Sequence, residues 1–232
     1  HHRRDLTLRE ETAQIVLMTE HDYDSLGYNG LSKRLFAAWY DLLNAGVENR
    51  VIPYRRLTAG LANGKVLEIG GGTGANLEFY PPGADLTFVE PNPHMAVRLQ
   101  RNAEKLGRSV TIAPGFGENL PFEDASFDTA VTTLVLCMVS DVERVVSEVR
   151  RVLKPGGRFL FYEHVVSTHK RLGIWQGLFN PIWKFATTGC NLNRDLSGEI
   201  GRAGFSQVEC RRFSLSVGVP ITIPNIVGVA TV

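Results

Sequence analysis

Three glycines, Gly70, Gly72 and Gly74, follow directly on the apolar run Val66-Leu-Glu-Ile69, and an acid, Glu90, stands sixteen residues beyond the last of them. Glycines so placed let the backbone turn tightly and come close to a ligand. Glu90 ends the next apolar run, Leu86-Thr-Phe-Val-Glu90, where a carboxylate can accept two hydrogen bonds from a ribose diol. The loop supports more than one cofactor. Gly70-x-Gly72-x-x-Ala75 also matches the dinucleotide fingerprint of dehydrogenases. Against that reading, Glu68 sits two residues before the first glycine, and 76–81 is too short for a pyrophosphate-facing helix. The chain also lacks a Tyr-x-x-x-Lys pair.

Other residue types suited to chemistry are scattered. His164 follows Glu163 at the end of the apolar run Arg158-Phe-Leu-Phe-Tyr162. It reads either as a base or acceptor-orienting group, or as a structural histidine hydrogen-bonded beneath neighbouring chain. Cys137 lies among Leu134, Val135, Leu136 and Met138, a neighbourhood that favours an inert buried thiol. Cys190 and Cys210 have no partner at ligand spacing, so no metal site is expected. Residues 172–185 carry Trp175, Phe179, Trp183 and Phe185. They read as a hydrophobic lid over an apolar acceptor, as extra core, or as a shallow membrane contact helped by Lys170, Arg171 and Lys184.

The elements that must position these groups alternate between strand and helix. Strands are expected at 66–69, 86–90, 110–112, 128–136, 158–162, 205–212 and 221–232. Asn92-Pro93 supplies an N-cap and a first-position proline for a helix ending at Gly107. Ser140 with Glu143 reads as a capping box, followed by the stripe Val142, Val145, Val146, Val149, Val152 and Leu153. A further helix is expected from 193 to 203. The alternation predicts an α/β fold, a mostly parallel sheet with helices on both faces and an antiparallel hairpin of the last two strands at one edge. Residues 5–62 look helical, with Ser32 as an N-cap, and 165–192 fit no simple strand–helix unit.

Composition removes other classes. With 44% hydrophobic and 21% charged residues, the 232-residue chain has an ordinary globular core and room for one domain with additions. A formal net charge of +1 provides no global field for nucleic acid or an anionic membrane. No apolar run reaches the roughly 18 residues that span a bilayer, and no signal peptide is apparent, so a cytoplasmic location is expected.

Glu68-x-Gly70-x-Gly72-x-Gly74 resembles the first motif of class I S-adenosylmethionine-dependent methyltransferases. Glu90, the stretch Leu120-Pro-Phe-Glu-Asp-Ala-Ser-Phe-Asp128 and the turn Val152-Leu-Lys-Pro-Gly-Gly157 match further motifs in the same order. Outside this core, Gly74-Ala-Asn76, Phe79-Tyr-Pro-Pro82, Pro91-Asn-Pro93, Thr133-Leu-Val-Leu-Cys137, Glu163-His-Val165 and Gly189-Cys-Asn-Leu192 with Arg194 resemble the methyltransferase-like protein seven group of thiol methyltransferases. Members of that group carry an N-terminal membrane-binding segment with no counterpart here, so stable membrane insertion is not expected, while peripheral contact stays open.

The resemblance implies a Rossmann-like, seven-stranded methyltransferase domain at 63–232, an N-terminal helical cap at 1–62 and an apolar lid at 166–192. It implies S-adenosyl-L-methionine as cofactor, with S-adenosyl-L-homocysteine as product. Gly70, Gly72, Gly74 and Asn76 would lie at its methionine and ribose parts, Glu68 would steady the amino-acid end, and Glu90 would hold the ribose. Pro91, Asn92, Met95, Phe116 and Gly117 would line the adenine, and the Leu134 carbonyl would take the ammonium group. Phe116 stands where many relatives carry an aspartate that caps the adenine amino group. His164 is the candidate catalytic residue, and Tyr28, Trp39, Cys137, Trp175, Phe179 and Trp183 are the candidate acceptor wall. The expected partner is a small apolar molecule, with a thiol as acceptor, or alternatively the oxygen or nitrogen of a quinone-like, phenolic or amine molecule. A nicotinamide-dependent oxidoreductase and an inactive cofactor-binding subunit are the remaining readings.

Overall fold

The computed structural model describes residues 48–186, 189–218 and 221–232. Ser32, Tyr28, Trp39 and the helix expected before residue 47 lie outside them. Helix α1 (Glu48–Leu57) leads through a 3-10 turn (Ala59–Leu61) into strand β1 (Lys65–Ile69). The chain then forms β2 (Asp85–Val89), α2 (Pro93–Lys105), β3 (Val110–Ala113), β4 (Phe127–Thr133), α3 (Val142–Val152) and β5 (Leu153–His164). It ends in α4 (Lys170–Ala186), α5 (Leu196–Arg202), β6 (Gln207–Gly218) and β7 (Ile221–Thr231).

Among the described residues seven strands form one sheet in the order β3-β2-β1-β4-β5-β7-β6. The first five are parallel, β7 runs antiparallel to β5, and β6 pairs antiparallel with β7 at the edge. Strands β1, β2 and the end of β5 are rich in Val, Leu, Ile and Phe because helices cover both faces. Side chains alternate across the sheet. Val66, Val131 and Leu160 pack with Leu99 and Ala103 of α2 on one face. Leu67, Ile69, Ala130, Phe159 and Phe161 pack with the valines of α3 on the other. Strand order reverses between β1 and β4, so the crevice at their C-terminal ends is the place where such a sheet holds a ligand.

Local chemistry explains most element ends. Asn92 caps α2 by accepting from the His94 amide at 3.0 Å, Pro93 opens the helix, and Gly107 ends it at φ +63. The expected capping box at α3 is replaced. Asp141, one residue later, accepts from the Arg144 amide at 3.0 Å, while the Ser140 amide donates to Glu118 at 2.8 Å. Strand β5 begins at Leu153, directly at the end of α3, so the Lys154-Pro-Gly-Gly157 turn lies within it.

Helix α4 is the element that sequence periodicity did not predict. Its protein-facing side is polar. Gln176 accepts from the Ser167 amide at 2.7 Å and donates to the Val165 carbonyl at 3.3 Å, and Asn180 accepts from the Leu192 amide at 2.8 Å. Its apolar residues Ile174, Trp175, Leu178 and Ile182 are exposed instead. An amphipathic pattern read for burial therefore points the wrong way.

Candidate functional site

The loop after β1 turns through three left-handed glycines, Gly70 (φ +67), Gly72 (φ +56) and Gly74 (φ +84). A methyl group at Gly70 would lie 2.6 Å from a Val135 methyl, and at Gly71 2.7 Å from Leu99 and Phe88 side-chain atoms. The loop thus forms a cradle that a side chain would fill. Its two ends are tied down separately. The Gly70 amide donates to the Val89 carbonyl at 2.8 Å. The Gly72 amide donates to Glu90 Oε2 at 2.8 Å, and the Asn92 amide donates to Glu90 Oε1 at 2.9 Å. Each carboxylate oxygen of Glu90 has a second lone pair free of these amides. Burial pushes Glu90 up to about 7, against the pull of the two N–H groups.

Glu68 anchors the same loop from below. Its Oε1 accepts from Asn76 Nδ2 at 2.8 Å and its Oε2 from the Tyr80 hydroxyl at 2.6 Å. Asn76 also donates to Thr133 Oγ1 at 3.0 Å and accepts from Arg55 Nη1 at 2.7 Å, so α1, the loop and β4 are joined in one buried network. Desolvation raises Glu68 to about 7, opposed by Tyr80, Asn76 and the Arg55 charge. Tyr80 and Arg55 are members of this network that sequence reasoning missed. Tyr80 lies inside the segment Phe79-Tyr-Pro-Pro82 that had already drawn attention, whereas no local signal marks Arg55.

Across the crevice, β4 is followed by a strained residue. Leu134 has φ +58, a region costing a non-glycine residue about 1–2 kcal/mol. Its amide donates to the Tyr162 carbonyl at 2.8 Å, and the following turn is held by Glu163, whose Oε1 accepts from the Val135 amide at 3.1 Å. Glu163 is fully buried, and that burial raises it to about 7 while the amides of 135–137 pull it down. Strain of this kind concentrates where a backbone group is aimed at a ligand.

His164 ends β5 on the sheet face shared by Glu68, Thr133 and Tyr162. Its Nδ1 lies 2.7 Å from Asn225 Oδ1 on β7. Asn225 Nδ2 donates to the Ile223 carbonyl at 2.6 Å, so its Oδ1 must be the acceptor and His164 carries its proton on Nδ1. Burial pushes His164 down to about 4, so Nε2 is an unprotonated acceptor at neutral pH.

Of the expected adenine-side residues, Asn92 and Met95 are buried, Pro91 is half-buried, Gly117 packs against Ile69 and Val145, and Phe116 is 37% exposed. Of the expected acceptor wall, Trp183 is half-buried, but Trp175 and Phe179 are 68% and 49% exposed. Cys137 is buried, and the structure gives it a neighbour not anticipated from spacing. Cys190 Sγ lies 3.3 Å from Cys137 Sγ. Among the described residues no three His, Cys, Asp or Glu side chains converge as a metal site requires, and no helix is long and apolar enough to cross a membrane.

The strand order, with a glycine loop after β1 and an acid directly after β2, is that of a Rossmann-like methyltransferase fold. Residues 67–161 match the family model described as a methyltransferase domain. The chain is 40% identical to the human thiol S-methyltransferase TMT1B over 158 residues, covering 65% of this chain and 64% of that protein. It is 38% identical to the human thiol S-methyltransferase TMT1A over 172 residues, covering 71% and 69%. Among solved structures it superposes on a possible histamine N-methyltransferase from Thermotoga maritima with a TM-score of 0.62 at 23% identity, covering 83% of this chain and 93% of that one. It also superposes on the [4+2]-cyclase SpnF with a TM-score of 0.65 at 18% identity, covering 85% and 93%. At those identities the likeness is one of fold. The chain belongs to the S-adenosylmethionine-dependent methyltransferases, in the family that contains the thiol S-methyltransferases. It spans about two thirds of the length of those relatives.

The residues present fit the cofactor. The loop is side-chain-free at Gly70, Gly72 and Gly74, with Gly70 and Gly72 half-buried, and Glu90 is braced through both oxygens while keeping lone pairs for a diol.

Proposed function

We propose that this chain transfers a methyl group from S-adenosylmethionine to the sulfur of a small apolar thiol. The 38% identity to the human thiol S-methyltransferase TMT1A across 71% of the chain carries this reading. When bound, the cofactor supplies an electrophilic methyl carbon on a positively charged sulfur. The chain's own residues then bind, orient and exclude water. In this reading the backbone of Gly70, Gly72 and Gly74 lies under the methionine and ribose, with Glu68 and Asn76 holding the loop in shape. Glu90 accepts from the ribose hydroxyls, and Leu134 turns its carbonyl toward the ammonium group. Pro91, Asn92, Met95, Phe116 and Gly117 line the adenine.

An in-line displacement asks mainly for position, which can supply much of the acceleration. A thiol with an ordinary pKa of about 8.5 already provides some thiolate near neutral pH. His164 Nε2, unprotonated and fixed in tautomer by Asn225, is suited to take the remaining proton or to orient the S–H group. Residues 1–62 and 166–192 are read as cap and lid, with Tyr28, Trp39, Cys137, Trp175, Phe179 and Trp183 as the apolar wall. Tethering of α4 to the segment just after β5, through Gln176 to Val165 and Ser167, supports the lid.

The test is a methyl-transfer assay with matched alkyl and aryl thiols, phenols and amines, read by product mass. Thiols should turn over at least tenfold faster than their oxygen or nitrogen counterparts. Faster phenol or amine methylation would move the acceptor to oxygen or nitrogen. Cofactor binding without any transfer would make the chain an inactive subunit.

A further inference from the structure

Cys137 and Cys190 are 53 positions apart and belong to different elements, yet their sulfur atoms lie 3.3 Å apart. The segments carrying them are locked together by backbone-directed bonds. Asn191 donates to the Cys137 carbonyl twice, through its amide at 2.8 Å and its Nδ2 at 3.0 Å. Arg194 donates to the carbonyls of Leu136 and Val139 at 2.7 and 2.6 Å. The stretch after α4 is therefore clamped onto the turn after β4, and the two thiols face each other across that clamp. Closing to a disulfide, with a bond of about 2.05 Å, asks the sulfur atoms to approach by little more than an ångström.

We infer that Cys137 and Cys190 form a thiol–disulfide exchange site that takes small organic disulfides. Cys190 is the attacking group, because it is the more accessible of the two, at 6% against 1% exposure. Its surroundings agree. The Cys137 thiol and Trp183 favour its thiolate, as does the Arg194 charge, while burial and Glu163 oppose it, with a net lowering. Cys137 is raised, chiefly by Cys190 and by burial, which suits a resolving thiol.

The chemistry closes as follows. Cys190 thiolate attacks one sulfur of RS–SR, the S–S bond breaks, and the first RS⁻ leaves and is protonated. Cys137 then loses its proton and attacks Cys190 Sγ, forming the intramolecular disulfide and expelling the second RS⁻. Two protein thiols are oxidised and one disulfide is reduced to two thiols. The released thiol belongs to the acceptor class proposed above, but the exchange does not depend on that reading.

The probe is 2-hydroxyethyl disulfide, applied to the full chain carrying Cys210→Ser, which removes the exposed thiol. After an acid quench and alkylation, the expected product is a peptide pair joined through Cys137 and Cys190, with two equivalents of 2-mercaptoethanol released per chain. Cys137→Ser should instead trap a mixed disulfide on Cys190. Cys190→Ser should leave Cys137 modified at least tenfold more slowly. Free thiols at both positions, under conditions where Cys210 of the otherwise unaltered chain reacts fully, would overturn the proposal. So would mixed disulfides at both positions without the joined pair. Because the first readout keeps both cysteines of the pair, failure of Cys137→Ser or Cys190→Ser to fold does not decide the outcome.

Discussion

Asn225 turns its amide nitrogen to the Ile223 carbonyl and its oxygen to Nδ1 of His164, 2.7 Å away. That orientation leaves one arrangement of the imidazole proton, with Nε2 as the lone-pair acceptor. With His164 held at about 4, its protonation does not titrate near neutral pH.

For this reason kcat, read at saturating cofactor so that Glu90 does not govern binding, should show no acid limb near pH 6.5, the ordinary histidine value. Asn225→Asp sets a carboxylate against Nδ1, raises His164 and should bring an acid limb toward neutrality. His164→Ala should lower kcat roughly 10- to 100-fold, at or below the usual range for a proton-transfer group, because a thiol needs less help. Product-analogue affinity should stay unchanged. A kcat profile at saturating cofactor with a limb at 6.5 in the unaltered chain would contradict the assignment.

Glu90 is proposed to hold the ribose through both oxygens. Glu90→Ala should weaken S-adenosylhomocysteine binding about 100-fold, the loss of two hydrogen bonds to a charged acceptor. The carboxylate is the form that accepts both hydroxyls, and Glu90 sits at about 7 without ligand. Affinity measured by titration calorimetry should therefore rise as pH climbs through 7 and then level off. Glu90→Gln should flatten that slope.

The approach of Val135 to Gly70 makes the loop intolerant of a side chain. Gly70→Ala adds a left-handed alanine, about 1–2 kcal/mol, and an overpacked contact, about 1–3 kcal/mol. Urea unfolding should show a loss of at least about 2 kcal/mol. Gly83→Ala meets nothing within 4 Å and should stay within about 0.5 kcal/mol of the unaltered chain.

Glu68, Glu90 and Glu163 all stand at about 7 in the folded chain, against 4.5 unfolded. Between those values the folded chain holds protons that the unfolded chain releases, so these groups lower stability as pH rises. His164, at about 4 folded and 6.5 unfolded, acts in the opposite sense below 6.5. Above 6.5 the carboxyls outweigh it. Stability of the ligand-free chain should therefore fall by about 2 kcal/mol in total from pH 6.5 to 8. Chemical denaturation at the two pH values measures it, and equal stabilities would mean that these carboxyls are ionised well below 7.

Sequence alone determined the features that depend on local chemistry. The glycine loop needs positive φ at three positions, the cap of α2 needs Asn92 and Pro93, and the valine stripe of α3 needs only helical period. Alternation of strand and helix was enough for the sheet, and the order of motifs was enough for the family. The readings that failed locally did so for a local reason. A capping Asp141 stood next to Ser140, and α4 buries its polar side through Gln176 and Asn180.

Tertiary structure alone decided the partners of the reactive groups. Arg55 meets Asn76, Cys137 meets Cys190, and His164 meets Asn225 across 61 positions. The first depends on how α1 docks against the loop after β1, the second on where the chain re-enters after α4, and the third on the register of β5 against β7, where a slip of one residue would turn each strand side chain to the opposite face. Composition and spacing carry no record of that register, because it is set by how all seven strands bury their apolar faces together.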